Sequence, residues 1–101
     1  MRIANRDCGA LVARREPFTG SNLRGGPRGL AGSFGLLPLH WRDAFDEDAP
    51  DYVVWSYQTP IVWHGRRGWV VPPFKYSPTT IRHTQHVTRD LSHVARNLPT
   101  T

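Results

Sequence analysis

Three arginines lie seven residues apart near the carboxyl end of the chain, at Arg82, Arg89 and Arg96. On an α-helix this spacing places them on one face, about 10.5 Å apart along the axis. Guanidinium groups arranged in this way can bind successive phosphates or the carboxylates of an acidic partner. Arg66 and Arg67 would add to the same surface from the tip of a hairpin. The pattern predicts an anion-binding face, although arginine also serves simply to solvate the outer side of a helix.

A second strip on the same segment combines three imidazoles with a carboxylate, at His83, His86, Asp90 and His93. These residue types can ligate zinc. On a straight helix, however, the first and last of them lie about 15 Å apart, so at most two or three could share one ion. We therefore interpret the strip as a polar flank in which Asp90 pairs with a histidine, and we predict neither a metal nor a cofactor.

Hydroxyl groups lie at the start of this helix at three positions, Ser77, Thr79 and Thr80. Ser56 and Tyr57 end a predicted strand, and either could in principle pair with His83 for nucleophilic catalysis. No third group that would orient the histidine as a base is apparent, and there is no nucleophile elbow. Hydroxyls at helix starts usually satisfy backbone N–H groups. We predict helix capping for the first three residues and no enzymatic activity.

Aromatic residues are the fourth candidate group, and they fall in or beside the predicted sheet: Trp55, Tyr57, Trp63, Trp69 and Tyr76. Exposed rings could stack on bases or form a patch that binds another protein. Because the chain has few aliphatic residues, the alternative is that most of these rings form the core.

The elements that must position these groups are concentrated in residues 52–72. Tyr52 to Tyr57 is a β-branched and aromatic run, and two further apolar runs flank the loop GRRG at 65–68. This pattern predicts a three-stranded antiparallel meander, in which Trp63 and Trp69 are equidistant from the loop centre and would be cross-strand neighbours.

Two helices are predicted around the meander. Leu37, Trp41 and Phe45 recur with helical spacing, which indicates a short helix near 38–46. Residues 78–97 form a longer amphipathic pattern that begins at Ser77-Pro78. Its narrow apolar face is made of Thr84, Val87, Leu91, Val94 and Leu98. A helix packed on a small sheet predicts the α+β class.

Residues 1–35 contain seven of the nine glycines. Glycine loses the most backbone entropy on folding and has no side chain to bury. We therefore expect residues 1–35 to form an irregular arm rich in glycine and arginine, and residues 36–101 to form a single small domain.

The chain of 101 residues has a net charge of +5, and the charge is divided into blocks. Residues 1–30 carry +4, residues 31–60 carry −4 and residues 61–101 carry +5. The length excludes a large catalytic domain. One cysteine, Cys8, cannot form a disulfide framework, and no apolar stretch approaches the roughly 18–20 residues of a membrane span. These features favour a cytoplasmic protein that does not enter a membrane.

Several motifs resemble those of a known group of proteins. They are the strings YVVWSYQTPIVW at 52–63, WVVP at 69–72 and KYSPTTIRHTQ at 75–85, with RREPFTGSNLRG at 14–25. Together they resemble small uncharacterised proteins encoded by actinobacterial phages and plasmids, over roughly residues 14–86. The excess of arginine over lysine agrees with a GC-rich genome. The resemblance implies a phage or mobile-element context and a host-cell cytoplasmic location, and it implies no activity.

Two functions remain open on the sequence. The first, slightly favoured, is a small non-enzymatic accessory protein that binds nucleic acid through the basic helix face. The alternative is a modulator that binds a host or phage protein, or a homodimeric interaction module, through the aromatic sheet and the acidic segment.

Overall fold

Five strands form one antiparallel sheet whose spatial order is the chain order. In a computed structural model, which describes residues 2–27, 35, 37–72 and 78–91, the strands are β1 (Phe18–Thr19), β2 (Leu23–Gly26), β3 (Tyr52–Ser56), β4 (Thr59–Gly65) and β5 (Gly68–Val70). The helices are α1 (Gly9–Ala13), α2 (Leu39–Asp48) and α3 (Pro78–Thr88), and single 3-10 turns span Asn5–Asp7 and Arg89–Leu91. The α+β class is therefore confirmed.

The predicted meander of residues 52–72 is present as β3, β4 and β5, with short turns between them. The expected pairing of two tryptophans across the second hairpin is wrong. Trp63 is opposite Val70, and Trp69 is opposite His64. Because neighbouring positions on a strand point to opposite faces, Trp63 and Trp69 lie in different core clusters on the two sides of the sheet.

The prediction of an irregular arm over residues 1–35 is wrong for residues 2–27. These residues supply α1 and two strands, and β2 pairs with β3 from Leu23 opposite Ser56 to Gly26 opposite Val53. Glycine here has a packing role, because a Cβ at Gly25 would overlap the ring of Phe18 and the hydroxyl of Tyr52. The absent side chain lets aromatic rings lie across the strand, which the composition argument did not consider.

Helices cover both faces of the sheet. On one face, α1 and α3 pack on the sheet through a cluster that includes Val12, Val54 and Val87. On the other face, α2 packs through a cluster that includes Phe45, Trp55 and Trp63. We call these the α1/α3 layer and the α2 layer. The molecule is thus a three-layer α–β–α arrangement rather than one helix on a sheet.

The two predicted helices are present with altered limits. α2 begins at Leu39, after Pro38, and ends at Asp48; it buries Phe45 fully and Trp41 partly, as the spacing predicted. α3 spans Pro78–Thr88 and continues as a 3-10 turn to Leu91. Of its predicted apolar face, Val87 and Leu91 are fully buried. Val94 and Leu98 lie outside the described residues.

Candidate functional site

Three segments of the chain meet at the end of the sheet where β3 turns into β4. Ser56 is the last residue of β3, His83 lies in the second turn of α3, and Asn5 begins the first 3-10 turn. The Ser56 Oγ is 2.7 Å from His83 Nδ1, and the Asn5 Nδ2 is 3.4 Å from His83 Nε2. Ser56 and His83 are both buried, so this contact joins β3 to α3 out of solvent.

The hydrogen bonds of Asn5 decide which nitrogen of His83 carries the proton. The Asn5 Oδ1 accepts from the Ser21 backbone N–H at 2.8 Å, so the other side-chain atom is the NH₂ group. That group donates to the Ser21 carbonyl and lies beside His83 Nε2, which must then accept. A neutral imidazole that accepts at Nε2 carries its proton on Nδ1 and donates to Ser56 Oγ.

This direction of donation is the reverse of what a serine nucleophile needs. A histidine that activates a hydroxyl must accept its proton, whereas His83 gives a hydrogen bond to Ser56. Burial lowers the pKa of His83, and electrostatic interaction with His86 and Arg82 lowers it further, which favours the neutral ring. The hydrogen bonds of Ser56, His83 and Asn5 thus have a structural role, because they join β3, α3 and the amino terminus.

Tyr57 is the exposed residue at this same end of the sheet. It directly follows Ser56, has a left-handed backbone with φ of 57°, and is 53% exposed. Its backbone N–H donates to the Asn22 carbonyl at 2.7 Å, and its ring lies 6.1 Å from the His83 ring, centroid to centroid, with a 31° tilt. A bulky residue in this conformation is a genuine outlier, and the fold holds it there against a local cost.

A buried carboxylate organises the opposite helix layer. Asp48, the last residue of α2, accepts from Arg67 Nε at 2.7 Å, from Arg67 Nη2 at 3.0 Å and from Trp63 Nε1 at 3.0 Å. Burial alone would raise the pKa of Asp48. The hydrogen bonds from Arg67 and Trp63, with the charges of Arg67 and Arg66, nevertheless bring that pKa below its ordinary value.

The hairpin-tip arginines are therefore surrounded by acidic groups. Asp46, Glu47, Asp48, Arg66 and Arg67, with Ala44, line an open depression of about 530 Å³. The two arginines lie at the turn between β4 and β5, and the Arg66 backbone N–H also donates to the Asp48 carbonyl at 2.7 Å. Positive charge at this tip is opposed locally, which disfavours it as an anion-binding surface.

The charge blocks of the sequence fold onto different layers. Parts of the first and last blocks come together in the α1/α3 layer, because α1 and its preceding turn pack against α3 and its following turn. Arg66 and Arg67 of the last block lie beside α2 instead. Residues 2–16 there contain four arginines and two acids. The α2 layer receives the acidic block, since α2 itself contains one arginine and four carboxylates. The sheet separates a basic layer from an acidic one.

The structure separates the four predicted anion-binding arginines that it describes into two pairs. Arg82 and Arg89 are exposed in the α1/α3 layer, and Arg89 Nη1 donates to the backbone carbonyl of Arg6 at 3.1 Å. Arg66 and Arg67 are instead tied to the carboxyl end of α2, on the other side of the sheet. The four described arginines therefore do not form the one continuous patch that the sequence suggested. Arg96 lies outside the described residues.

Three of the predicted aromatic patch residues are core residues. Trp55, Trp63 and Trp69 are buried, on two different faces of the sheet, so the alternative of a core role applies to them. Trp63 contacts Phe45 edge-on, with ring centroids 5.1 Å apart. Only Tyr57, of the four predicted rings that the structure describes, presents its side chain to solvent. Tyr76 lies outside the described residues.

The remaining sequence candidates have structural roles or fall outside the described part of the chain. Within residues 2–27, 35, 37–72 and 78–91, no group of three or more His, Cys, Asp or Glu side chains could hold a metal ion. Both ring nitrogens of His83 already face protein groups. Ser77 and His93, and the side chains of Thr80 and Asp90, are not among the described groups. Thr79 is exposed in the first turn of α3, and Cys8 is fully buried in the core.

Sequence reasoning missed two features of these sites. One is Asn5, which is distant in sequence from His83 and carried no periodic or motif signal. The other is Arg6, whose place beside Arg89 follows only from the packing of the amino terminus on α3. The contact between Ser56 and His83, one of the Ser/His pairings that the sequence allows, is present, and the histidine donates the hydrogen bond.

Comparisons with known proteins give a family without an activity. A model of a family of unknown function, DUF8033, matches residues 9–96, so the chain belongs to that family. No curated protein and no solved structure matches the chain. In the part of the chain that the structure describes, none of the helices has the length and apolar character needed to cross a membrane.

Proposed function

We propose that this member of DUF8033 is a small non-enzymatic protein that binds nucleic acid through the exposed arginines of the α1/α3 layer. The observation that carries the proposal is the separation of charge between layers. Arg6, Arg82 and Arg89 are exposed on one layer, whereas the carboxylates of α2 lie across the sheet. A phosphate backbone would meet the basic layer while the acidic layer faces away.

The direction of the Ser56–His83 hydrogen bond supports a binding function rather than catalysis. A buried histidine that donates to a buried serine offers neither a base nor an accessible nucleophile. The phage or mobile-element context remains part of the proposal, as the resemblance of the motifs implies it. In that context the protein would act in the cytoplasm of the host cell.

The test is binding of labelled single-stranded and duplex oligonucleotides, measured by fluorescence anisotropy between about 50 and 200 mM salt. We expect binding that weakens steeply with salt, as released counterions require. Removing one phosphate contact with Arg82→Gln should weaken binding to every sequence and reduce the slope of log Kd against log salt by roughly 0.7 to 0.9.

Arg66→Gln is the matched control, since it removes the same charge from an exposed arginine on the acidic side of the molecule. The proposal predicts a smaller effect for Arg66→Gln than for Arg82→Gln. Equal effects would mean that overall charge, and not the α1/α3 layer, determines binding. Absence of binding at low salt would refute the proposal and leave the alternative of a protein partner.

A further inference from the structure

Tyr57 is an exposed aromatic ring that the core does not need. The buried clusters on both faces of the sheet are complete without it, and over half of its surface is open to solvent. The neighbouring rings Trp55 and Trp63 are, in contrast, fully enclosed. Packing in the two core clusters therefore does not account for the position of this ring.

The fold holds this ring in place at a conformational cost. Tyr57 has a φ of 57°, a region that a bulky side chain adopts only when its surroundings require it. Its N–H is fixed to the Asn22 carbonyl, and one side of its ring lies near His83. His83 is in turn held by Ser56 and Asn5. The backbone of Tyr57 is therefore fixed and its ring is bounded on one side by an anchored histidine, which lowers the entropy cost of stacking on the ring.

The position of the ring relates it to the basic layer. His83 belongs to α3, where it directly follows the exposed Arg82. Tyr57 therefore lies next to the helix that carries the exposed arginines, where the base of a strand bound at that helix could stack. Bases of a duplex are stacked on one another and cannot cover such a ring, whereas bases of a single strand can.

We propose that the ligand is a single-stranded nucleic acid and that Tyr57 is its base-stacking platform. This inference rests on the proposed function, because it needs the basic layer to hold the phosphates. It adds a substrate class, since stacking distinguishes single strands from duplexes and accepts any base. Arg82 would bind the backbone beside the stacked base.

The test compares wild type with Tyr57→Gly and Tyr57→Phe for binding to an oligothymidylate of about 12 nucleotides, a DNA duplex and an abasic oligonucleotide of the same length. Tyr57→Gly removes the ring, and glycine adopts the left-handed backbone of this position readily. The protein should therefore still fold, and its melting temperature checks this. Tyr57→Phe keeps the ring. Leu39→Ala is a control that removes another exposed apolar side chain, from the acidic layer.

We expect Tyr57→Gly to weaken binding to the oligothymidylate about ten-fold, with little change for the duplex. Tyr57→Phe and Leu39→Ala should bind like wild type. The abasic strand keeps its phosphates and lacks bases, so wild type and Tyr57→Gly should bind it equally. An oligouridylate of the same length should lose the same factor, since stacking does not read the sugar.

Other results would overturn the inference in distinguishable ways. If wild type binds oligonucleotides but Tyr57→Gly keeps full affinity for the oligothymidylate, or loses equal affinity for the abasic strand, Tyr57 is not a stacking platform while the proposed function stands. If no oligonucleotide binds at low salt, the proposed function itself fails.

Discussion

His83 shows how one residue can link distant parts of the chain and carry a pH dependence. Its neutral ring accepts from Asn5 and donates to Ser56, and a protonated ring could no longer accept at Nε2. The charged groups that oppose protonation, His86 and Arg82, lie on the same helix, while the polar groups from the other elements are uncharged. Protonation should therefore loosen the junction between α3, β3 and the amino terminus.

The resulting prediction concerns stability against pH. Because the pKa of His83 is lower in the folded protein than in the unfolded chain, the unfolded chain binds more protons below about pH 6.5. The free energy of unfolding should fall as the pH decreases below that value, by at most about 1.4 kcal/mol per pH unit for this group. Chemical denaturation at several pH values between about 5 and 8, the range in which histidine titrates, measures this dependence of the free energy of unfolding on pH.

His83→Gln should flatten this dependence, whatever its effect on stability at pH 8. His40→Gln is the matched control, because it removes an exposed histidine of α2 that lies outside this junction. A slope in His83→Gln equal to that of wild type would show that other groups cause the pH dependence.

The residue scale also shows a limit of composition arguments. Glycine enrichment predicted an irregular arm, yet Gly25 lies in a paired strand, where the ring of Phe18 and the hydroxyl of Tyr52 occupy the place of a Cβ. The sequence cannot distinguish a glycine that loosens a segment from one that makes room for a neighbour. That distinction depends on a ring 27 residues later in the chain, at Tyr52, which no local pattern reports.

At the scale of elements, Asp48 joins the end of α2 to the hairpin of β4 and β5. An anion at a helix carboxyl terminus is disfavoured by the helix dipole. Here Arg67 and the indole of Trp63 offset that effect with three hydrogen bonds. The acidic end of α2, unfavourable for the isolated helix, is thus required by the tertiary structure.

Asp48→Ala should destabilise the protein by about 2 kcal/mol, because it leaves the buried indole N–H of Trp63 without its acceptor. Asp48→Asn keeps an acceptor for the indole and should cost less. Thermal unfolding of both variants measures the difference. Asp43→Ala is the control, as an exposed carboxylate of the same helix whose removal should change stability by about 0.5 kcal/mol or less. Equal losses for Asp48→Ala and Asp43→Ala would contradict this role.

The predictability of the elements followed the strength of their local patterns. The meander of β3 to β5 was predictable because β-branched and aromatic runs alternate with short turns. The helix α2 was predictable from the spacing of Trp41 and Phe45. The strands β1 and β2 were not, since each is short, β1 pairs with β2, and β2 pairs with β3, which α2 separates from it along the chain. The presence of helices on both faces of the sheet was missed because it also depends on contacts between segments that are distant in the chain.

At the scale of the whole molecule, the sequence contained the charge blocks but not their arrangement. The arginines of the amino terminus and those of α3 meet because α1 packs on α3, and the carboxylates of α2 are separated from them by the sheet. Arg66 and Arg67 are the exception, since they lie beside α2. A pattern along the chain has become a polarity across the molecule. This polarity is the basis of the proposed function, since net charge alone would not select one face.

Binding of single-stranded nucleic acid to the α1/α3 layer is tested most directly by an amide chemical-shift titration. The isotope-labelled protein is titrated with a short single-stranded oligonucleotide at low salt. The account predicts that the largest changes fall in residues 2–16, at Tyr57 and in α3, and that the exposed residues of α2 remain unaffected. Changes centred on α2, or no changes at any residue, would contradict it.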